Sequence, residues 1–183
     1  MPDESRWATF FSPLEALRLL GLDAMTDVAV DFGCGYGTFA VAAAQTIRGR
    51  VLAFDIDPQM VARTLRHAAE LGLTNVEATQ RDFVAEGTGL LAESADYAML
   101  FNILHAEHPE GLTREAYRVL RPGGFLAVMH WRFDASTPRG PSLGIRPRPE
   151  QCVQWCGNVG FDVSADAVID LPPYHYGFRV VKA

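Results

Sequence analysis

Short apolar runs alternate with amphipathic stretches along most of the 183-residue chain. Asp27 to Phe32 (DVAVDF) reads as a buried strand, and Gly37 to Ile47 as a helix whose alanines allow close packing on a sheet. Arg50 to Asp55 reads as a second strand. Pro58 to Leu71 follows as a helix, with Val61, Leu65, Ala68 and Leu71 at helical spacing and Gly72 as its stop. Asn75 to Thr79 and Tyr97 to Phe101 are candidate third and fourth strands. Pro109 to Leu120 is the next helix, and Pro122-Gly123-Gly124 breaks it before a strand over Phe125 to His130. Strands and helices in alternation predict a doubly wound α/β fold, with a parallel sheet covered on both faces. Continuous apolar strands fit burial on both sides.

The last third changes character. Arg132 to Pro149 is rich in Pro, Gly and Arg and reads as a long connection. Loops of that length in compact domains are usually functional lids or disordered segments. A helix over Glu150 to Asn158 and a strand from Phe161 to Ile169 follow. Pro172-Pro173 marks a turn before a final strand, Phe178 to Val181. A turn so short holds no crossover helix, which makes the last pair antiparallel.

Composition narrows the class. Half of the chain is hydrophobic (49%) and 21% is charged, which suits one domain over residues 1–183. Residues 1–24 are expected as a helical flap and 132–149 as a loop over or beside a cleft. No apolar run reaches the roughly 20 residues that cross a bilayer, and Met1 to Gly21 lacks the layout of a signal peptide. A cytoplasmic protein without membrane contact is therefore expected. Net charge is -6, so nucleic acid is not an expected partner. Three cysteines (Cys34, Cys152 and Cys156) are too few for a disulfide scaffold. Cys152 and Cys156 share a helix face and read as core packing, and no metal site is expected. A homodimer is left open.

The chemistry starts at the first strand's end, which runs through Asp31 into Gly33-Cys34-Gly35-Tyr36-Gly37 and then a helix. Such glycines permit positive φ and let a ligand approach the backbone. The second strand ends at Asp55, about twenty residues on, where a carboxylate can accept from both hydroxyls of a ribose. A dinucleotide site wants its third glycine three positions after the second. Thr38 stands there, and the glycine falls at Gly37. Asp31 would repel a pyrophosphate but could meet an ammonium. Both departures point to a nucleoside cofactor that carries an amino acid.

Asp31 to Gly37 resembles the first motif of class I S-adenosylmethionine-dependent methyltransferases. Asp55 is similar to their ribose-binding acid, with Ile56 beside it. Arg81-Asp82-Phe83 resembles the segment after their third strand, and Asp96 to Asn102 with His105 their fourth-strand motif. Arg118 to Gly124 is similar to the turn before their fifth strand. The resemblance implies a Rossmann-like seven-stranded sheet, order 3-2-1-4-5-7-6 with strand 7 antiparallel. It implies S-adenosylmethionine as cofactor, S-adenosylhomocysteine as product, and cofactor contacts from Asp31, Gly33, Cys34, Gly35, Asp55, Ile56, Asp82, Phe83 and Asn102. In that scheme Asp82 meets the adenine amino group and Phe83 packs on the ring.

A small-molecule methyl acceptor is expected. Candidate acid–base groups at the strand ends are His105, His130 and His175, predicted to face one cleft. Trp131, Arg132, Tyr174 and Tyr176 are candidate substrate contacts, and the loop with Arg132, Arg139, Arg146 and Arg148 is either an anion contact over the cleft or a surface or dimer-contact loop. Trp7, Phe10 and Phe11 read as a core-covering flap or an aromatic lid over the sulfonium. Two other classes stay open: a non-catalytic S-adenosylmethionine-binding module and a nicotinamide-dependent oxidoreductase.

Overall fold

The computed structural model describes residues 9–134, 136–163 and 168–183. Trp7 and the middle of the strand expected over 161–169 lie outside the described residues. One sheet runs through the chain. Its strands are β1 (Val28–Phe32), β2 (Arg50–Asp55), β3 (Val76–Gln80), β4 (Ala95–Phe101), β5 (Leu120–Trp131), β6 (Phe161–Asp162), β7 (Ile169–Leu171) and β8 (His175–Lys182). The order is β3-β2-β1-β4-β5-β8-β6, with β7 also on β8. β1 to β5 are mutually parallel, and β8 is antiparallel to β5, β6 and β7. That is the predicted order, once the final strand is counted as the eighth. The expected sixth strand appears as two short pieces, β6 and β7, each paired to β8.

Six helices flank the strands among the described residues: α1 (Pro13–Leu19), α2 (Thr38–Thr46), α3 (Pro58–Glu70), α4 (Phe83–Glu86), α5 (Pro109–Val119) and α6 (Pro149–Val159). α2 buries Phe39, Ala40, Val41, Ala42, Ala43 and Ala44, the small side chains that let it lie close to the sheet. α3 begins at Asp57, whose carboxylate accepts from Gln59 N at 2.8 Å, with Pro58 in the first turn where its missing N–H costs nothing. Pro109 and Pro149 open α5 and α6 in the same way.

Side chains alternate across the sheet, which divides the core in two. On one face Val30, Leu100, Val128 and Phe178 meet α5 and α6, including Cys152 and Cys156. Both cysteines are fully buried packing residues, as the sequence suggested. On the other face Ala29, Met99, Ala127 and Met129 meet Leu17 and Leu20 of α1 and Phe39 and Ala43 of α2.

Three strands are longer than their sequence pattern predicts, β4 by Ala95 and Asp96 at its start. β5 begins at Leu120, paired with Ala95, and the Pro122-Gly123-Gly124 turn is absorbed as a register shift before Tyr97 pairs with Phe125. β8 begins at His175 and not Phe178, because β5 extends to Trp131 and provides backbone partners for His175, Tyr176 and Gly177. No described helix is long and apolar enough to cross a membrane.

Candidate functional site

The glycine turn is held from three sides. Phe54 O of β2 accepts from Gly33 N (2.8 Å) and Cys34 N (2.9 Å), and Cys34 O accepts from Gly37 N (2.8 Å). Asp55 Oδ2 accepts from Gly35 N at 2.8 Å, while Oδ1 accepts from Asp57 N at 3.0 Å. Thr64 of α3, completely buried, donates its hydroxyl to Gly35 O at 3.1 Å. Gly37 has φ +79°, and a Cβ there would stand 3.0 Å from Thr64 Cα, so both conformation and space require glycine. Nothing in the sequence singled out Thr64; the one available signal is a β-branched polar residue inside a helix, where its propensity is poor.

Asp31 lies at the end of β1 and is almost fully buried. Burial, reinforced by the nearby Asp55 carboxylate, pushes its pKa up to about 7, against the pull of the Ala40 backbone N–H. Asp31 shares a cavity of about 120 Å³ with Gly33, Gly35, Phe39, Phe101 and Asn102. Asn102 ends β4 in the left-handed region, φ +56°, with its N–H donated to Met129 O at 2.7 Å. Both its amide atoms, Oδ1 and Nδ2, are buried without a partner. Buried polar groups are nearly always paired, so this amide is available to a partner from within the cavity.

The adenine-side residues divide. Asp82 caps α4, accepting from Ala85 N at 3.1 Å. Phe83 lies in the core, edge-on to Phe32 at 5.7 Å. Ile56, next to Asp55, is 60% exposed. Phe83, expected to pack on the adenine ring, is thus buried in the core, while Ile56 beside Asp55 is accessible.

The three histidines do not share one cleft, which corrects the sequence reading. Adjacent residues of a strand point to opposite faces, and the β5–β8 register pairs His130 with Tyr176 and Trp131 with His175. His130 therefore lies on the α5–α6 face, 5.6 Å centroid to centroid from His105 and 6.4 Å from Tyr176. His175 lies on the α1–α2 face, 4.3 Å from Trp131 and 4.6 Å from Phe11. Burial lowers all three pKa values, His130 and His175 to about 3, so each imidazole is neutral near pH 7. Among the described residues no group of three or more His, Cys, Asp or Glu side chains is placed to hold a metal ion.

The substrate candidates are mostly engaged in structure. Trp131 is buried in a cluster with Phe10 (5.3 Å), Phe11 (6.3 Å) and Tyr174 (6.3 Å). Phe11 in turn meets Phe39, which meets Phe101, so this cluster reaches the cavity wall. Tyr176 donates its hydroxyl to Pro147 O at 3.2 Å.

The loop arginines are similarly occupied. Arg132 pairs with Asp170 at 3.1 Å and donates to His175 O. Arg148 lies 3.8 Å over the Phe133 ring. Arg146 is buried, and its guanidinium donates to Arg132 O, Asp134 O, Arg139 O, Pro141 O and Thr137 Oγ1. Arg132, Arg146 and Arg148 thus already have protein partners, which favours the surface-loop alternative over an anion contact. The loop folds around one of them instead.

Sheet order, the glycine turn with its two acids, and the Asn102 cavity define a Rossmann-like methyltransferase fold. The chain belongs to the family described as a methyltransferase domain, whose model matches residues 29–124, more than half of its length. The resemblance read from the motifs is thus borne out. Among curated relatives, a ribosomal protein L11 methyltransferase of Vibrio vulnificus is 34% identical over 75% of this chain and 46% of its own length. A sterol 24-C-methyltransferase of Eremothecium gossypii is 29% identical over 61% of this chain and 31% of its own. The chain spans less than half the length of these relatives. A SAM-dependent methyltransferase structure from Aquifex aeolicus superposes with TM-score 0.85 at 22% identity, covering 99% of this chain and 94% of that one. The [4+2]-cyclase SpnF superposes with TM-score 0.76 at 19% identity, covering 92% and 78%.

Proposed function

We propose that this chain is an S-adenosylmethionine-dependent methyltransferase acting on a small molecule. The observation that carries the reading is the cavity at the end of β1. It brings a buried carboxylate, Asp31, and an unpartnered amide, Asn102, to the mouth of a glycine turn. These groups fit the amino-acid end of the cofactor: Asp31 is an acceptor for an ammonium, and Asn102 offers both a donor and an acceptor. Asp55 would hold the ribose. Asp82 and Ile56 would flank the adenine, with Gly33, Cys34 and Gly35 presenting backbone and Phe83 packing beneath. When bound, the cofactor supplies an electrophilic methyl group on a sulfonium.

The chain's own contribution is mainly positioning, which can provide a large share of such a barrier. β1 and β4 fix Asp31 and Asn102 on rigid strand ends. Phe39 and Phe101 give the cavity an apolar wall. Of the histidines, His105 and His130 share the α5–α6 face and are the candidates for meeting the acceptor. His175 packs against Phe11 and Trp131 and supports the N-terminal segment.

Asp55→Ala is expected to weaken S-adenosylmethionine binding by about 1–3 kcal/mol, the scale of lost charge-assisted hydrogen bonds. Titration calorimetry of wild type and variant checks this, and equal affinities would refute the ribose assignment. Part of the loss comes from freeing Gly35 N, so Asp55→Asn, which keeps an acceptor there, should lose less. The same cofactor residues would serve a second reading, a non-catalytic S-adenosylmethionine-binding module. Tight cofactor binding with no S-adenosylhomocysteine released across acceptor panels would select it.

A further inference from the structure

We infer that Thr64 is a positioning residue of the cofactor site: from the buried side of α3 its hydroxyl fixes the glycine turn, and through Gly35 the Asp55 carboxylate, in the arrangement that receives S-adenosylmethionine. This deepens the cofactor reading and rests on it.

Of the α3 side chains, Thr64 and Ala68 are the buried ones. A hydroxyl is an unusual choice for such a place. Threonine is stiff in a helix, and burying its oxygen is costly unless a partner receives it. Here the partners belong to the turn. Thr64 Oγ1 stands 3.1 Å from Gly35 O and 3.4 Å from Cys34 Sγ. A hydroxyl has one proton and two lone pairs, so it can donate to the carbonyl and accept from the thiol at once. Burial pushes the Cys34 thiol up to about 12, so its proton stays in place.

The turn needs such a restraint. Gly33, Gly35 and Gly37 all have positive φ, +85°, +53° and +79°. The same lack of Cβ that lets a ligand approach also leaves the backbone free to flex. A site that is ordered only on binding loses affinity to the entropy of ordering, and one fixed beforehand does not. Gly35 is fixed from two elements: its N–H is donated to Asp55 Oδ2 at the end of β2, at 2.8 Å, and its C=O accepts from Thr64 in the middle of α3. A Cβ on Gly37 would stand 3.0 Å from both Thr64 Cα and Oγ1, so the turn lies directly against the helix there. Gly33, Cys34 and Gly35 line the cofactor cavity, whereas Thr64 does not. Its influence on a ligand therefore passes through the turn.

The test uses the intact protein and S-adenosylhomocysteine. Calorimetry of the wild type comes first; no binding there overturns the cofactor reading itself, and the variants then judge Thr64. Thr64→Val keeps the shape and removes the hydroxyl, Thr64→Ser keeps the hydroxyl and removes the methyl, and Thr64→Ala removes both in the best helix former. Thr64→Val and Thr64→Ala are expected to bind about fivefold more weakly than the wild type, the scale of one hydrogen bond. Thr64→Ser should stay within about twofold of the wild type, although the loss of a buried methyl lowers its melting temperature. A packing role predicts the reverse order, with Thr64→Val like the wild type and Thr64→Ser impaired. In the ligand-free protein the Gly35 amide, followed by NMR, should exchange about tenfold faster in Thr64→Val and Thr64→Ala and at the wild-type rate in Thr64→Ser. Wild-type affinity in the two variants without a hydroxyl, an equal loss in Thr64→Ser, or unchanged Gly35 exchange in Thr64→Val and Thr64→Ala overturns the inference.

Discussion

Asp31→Asn is expected to raise the thermal stability of the ligand-free protein above pH 7 and, in the same molecule, to remove most of its affinity for S-adenosylmethionine. Asp31 sits among buried groups with the Asp55 carboxylate close by, and its folded pKa is about 7 against an ordinary 3.8. A group whose folded pKa is raised contributes stability that is complete below the unfolded pKa and is lost as pH rises through the folded one. Wild-type stability should therefore decline from about pH 4 to pH 7, with an upper bound of about 4 kcal/mol from this residue. The amide carries no charge, so that slope should flatten in the variant. Thermal melts between pH 4 and pH 9 decide it, and identical slopes would show that Asp31 is not the group that titrates.

Binding should move the opposite way. The ammonium of the cofactor would meet an amide in place of a carboxylate, a loss of about 2–4 kcal/mol for a buried charged contact. In the wild type, ionising Asp31 on binding should release a proton near pH 6–7. Calorimetry in buffers of different ionisation enthalpy measures that release directly.

Arg146→Met should open the loop over residues 132–149. The guanidinium is buried among the carbonyls of Arg132 (2.8 Å), Asp134 (3.2 Å), Arg139 (3.2 Å) and Pro141 (2.8 Å), and holds the Thr137 hydroxyl at 2.6 Å. Without it these oxygens must find water, at about 1–3 kcal/mol for each that stays buried. The loop would sooner open than remain folded on unpaired acceptors. Gly140 packs so closely on Trp131 that a Cβ would lie 2.8 Å from the indole Cγ, so opening uncovers Trp131. Amide exchange across the loop should accelerate markedly and tryptic cleavage at Arg139 should appear, with the circular dichroism of the sheet unchanged. Arg146→Lys should fall between, since three donors on one nitrogen cannot reach oxygens spread around a planar fork. Unaltered exchange in Arg146→Met would mean that the loop is held by other contacts.

Much of this architecture is legible in the sequence because parallel strands buried on both faces are written as continuous apolar runs punctuated by glycine and proline. The same punctuation exposes the turn from Gly33 to Gly37, and Asp31 and Asp55 stand out as acids at the ends of apolar strands. The structure brings all of these to one place. The orientation of the histidines is not legible in the same way. It depends on where β8 begins, and His175 to Gly177 read as part of a turn until β5 supplies their partners. Arg146 is hidden for a different reason. Its partners are mainly main-chain carbonyls, which every residue carries, so no side-chain pattern announces them. Thr64 is hidden likewise, since its key acceptor is the backbone of Gly35.

The pairing of His130 with Tyr176 and of Trp131 with His175 has a bearing on how such a protein can change. Because the two sets occupy alternate positions of the same two strands, substitutions in one set meet a different layer of the molecule from those in the other. Point changes at His105 and His130 should leave intact the aromatic layer in which Trp131 and His175 pack against Phe10 and Phe11. A deletion of one residue in β5 or β8 cannot be so contained. It would exchange the sets, sending His130 into the aromatic layer and the Trp131 indole onto the α5–α6 face. Drift in this family member should therefore favour replacement over insertion along these strands, and libraries aimed at new acceptors should hold their lengths fixed.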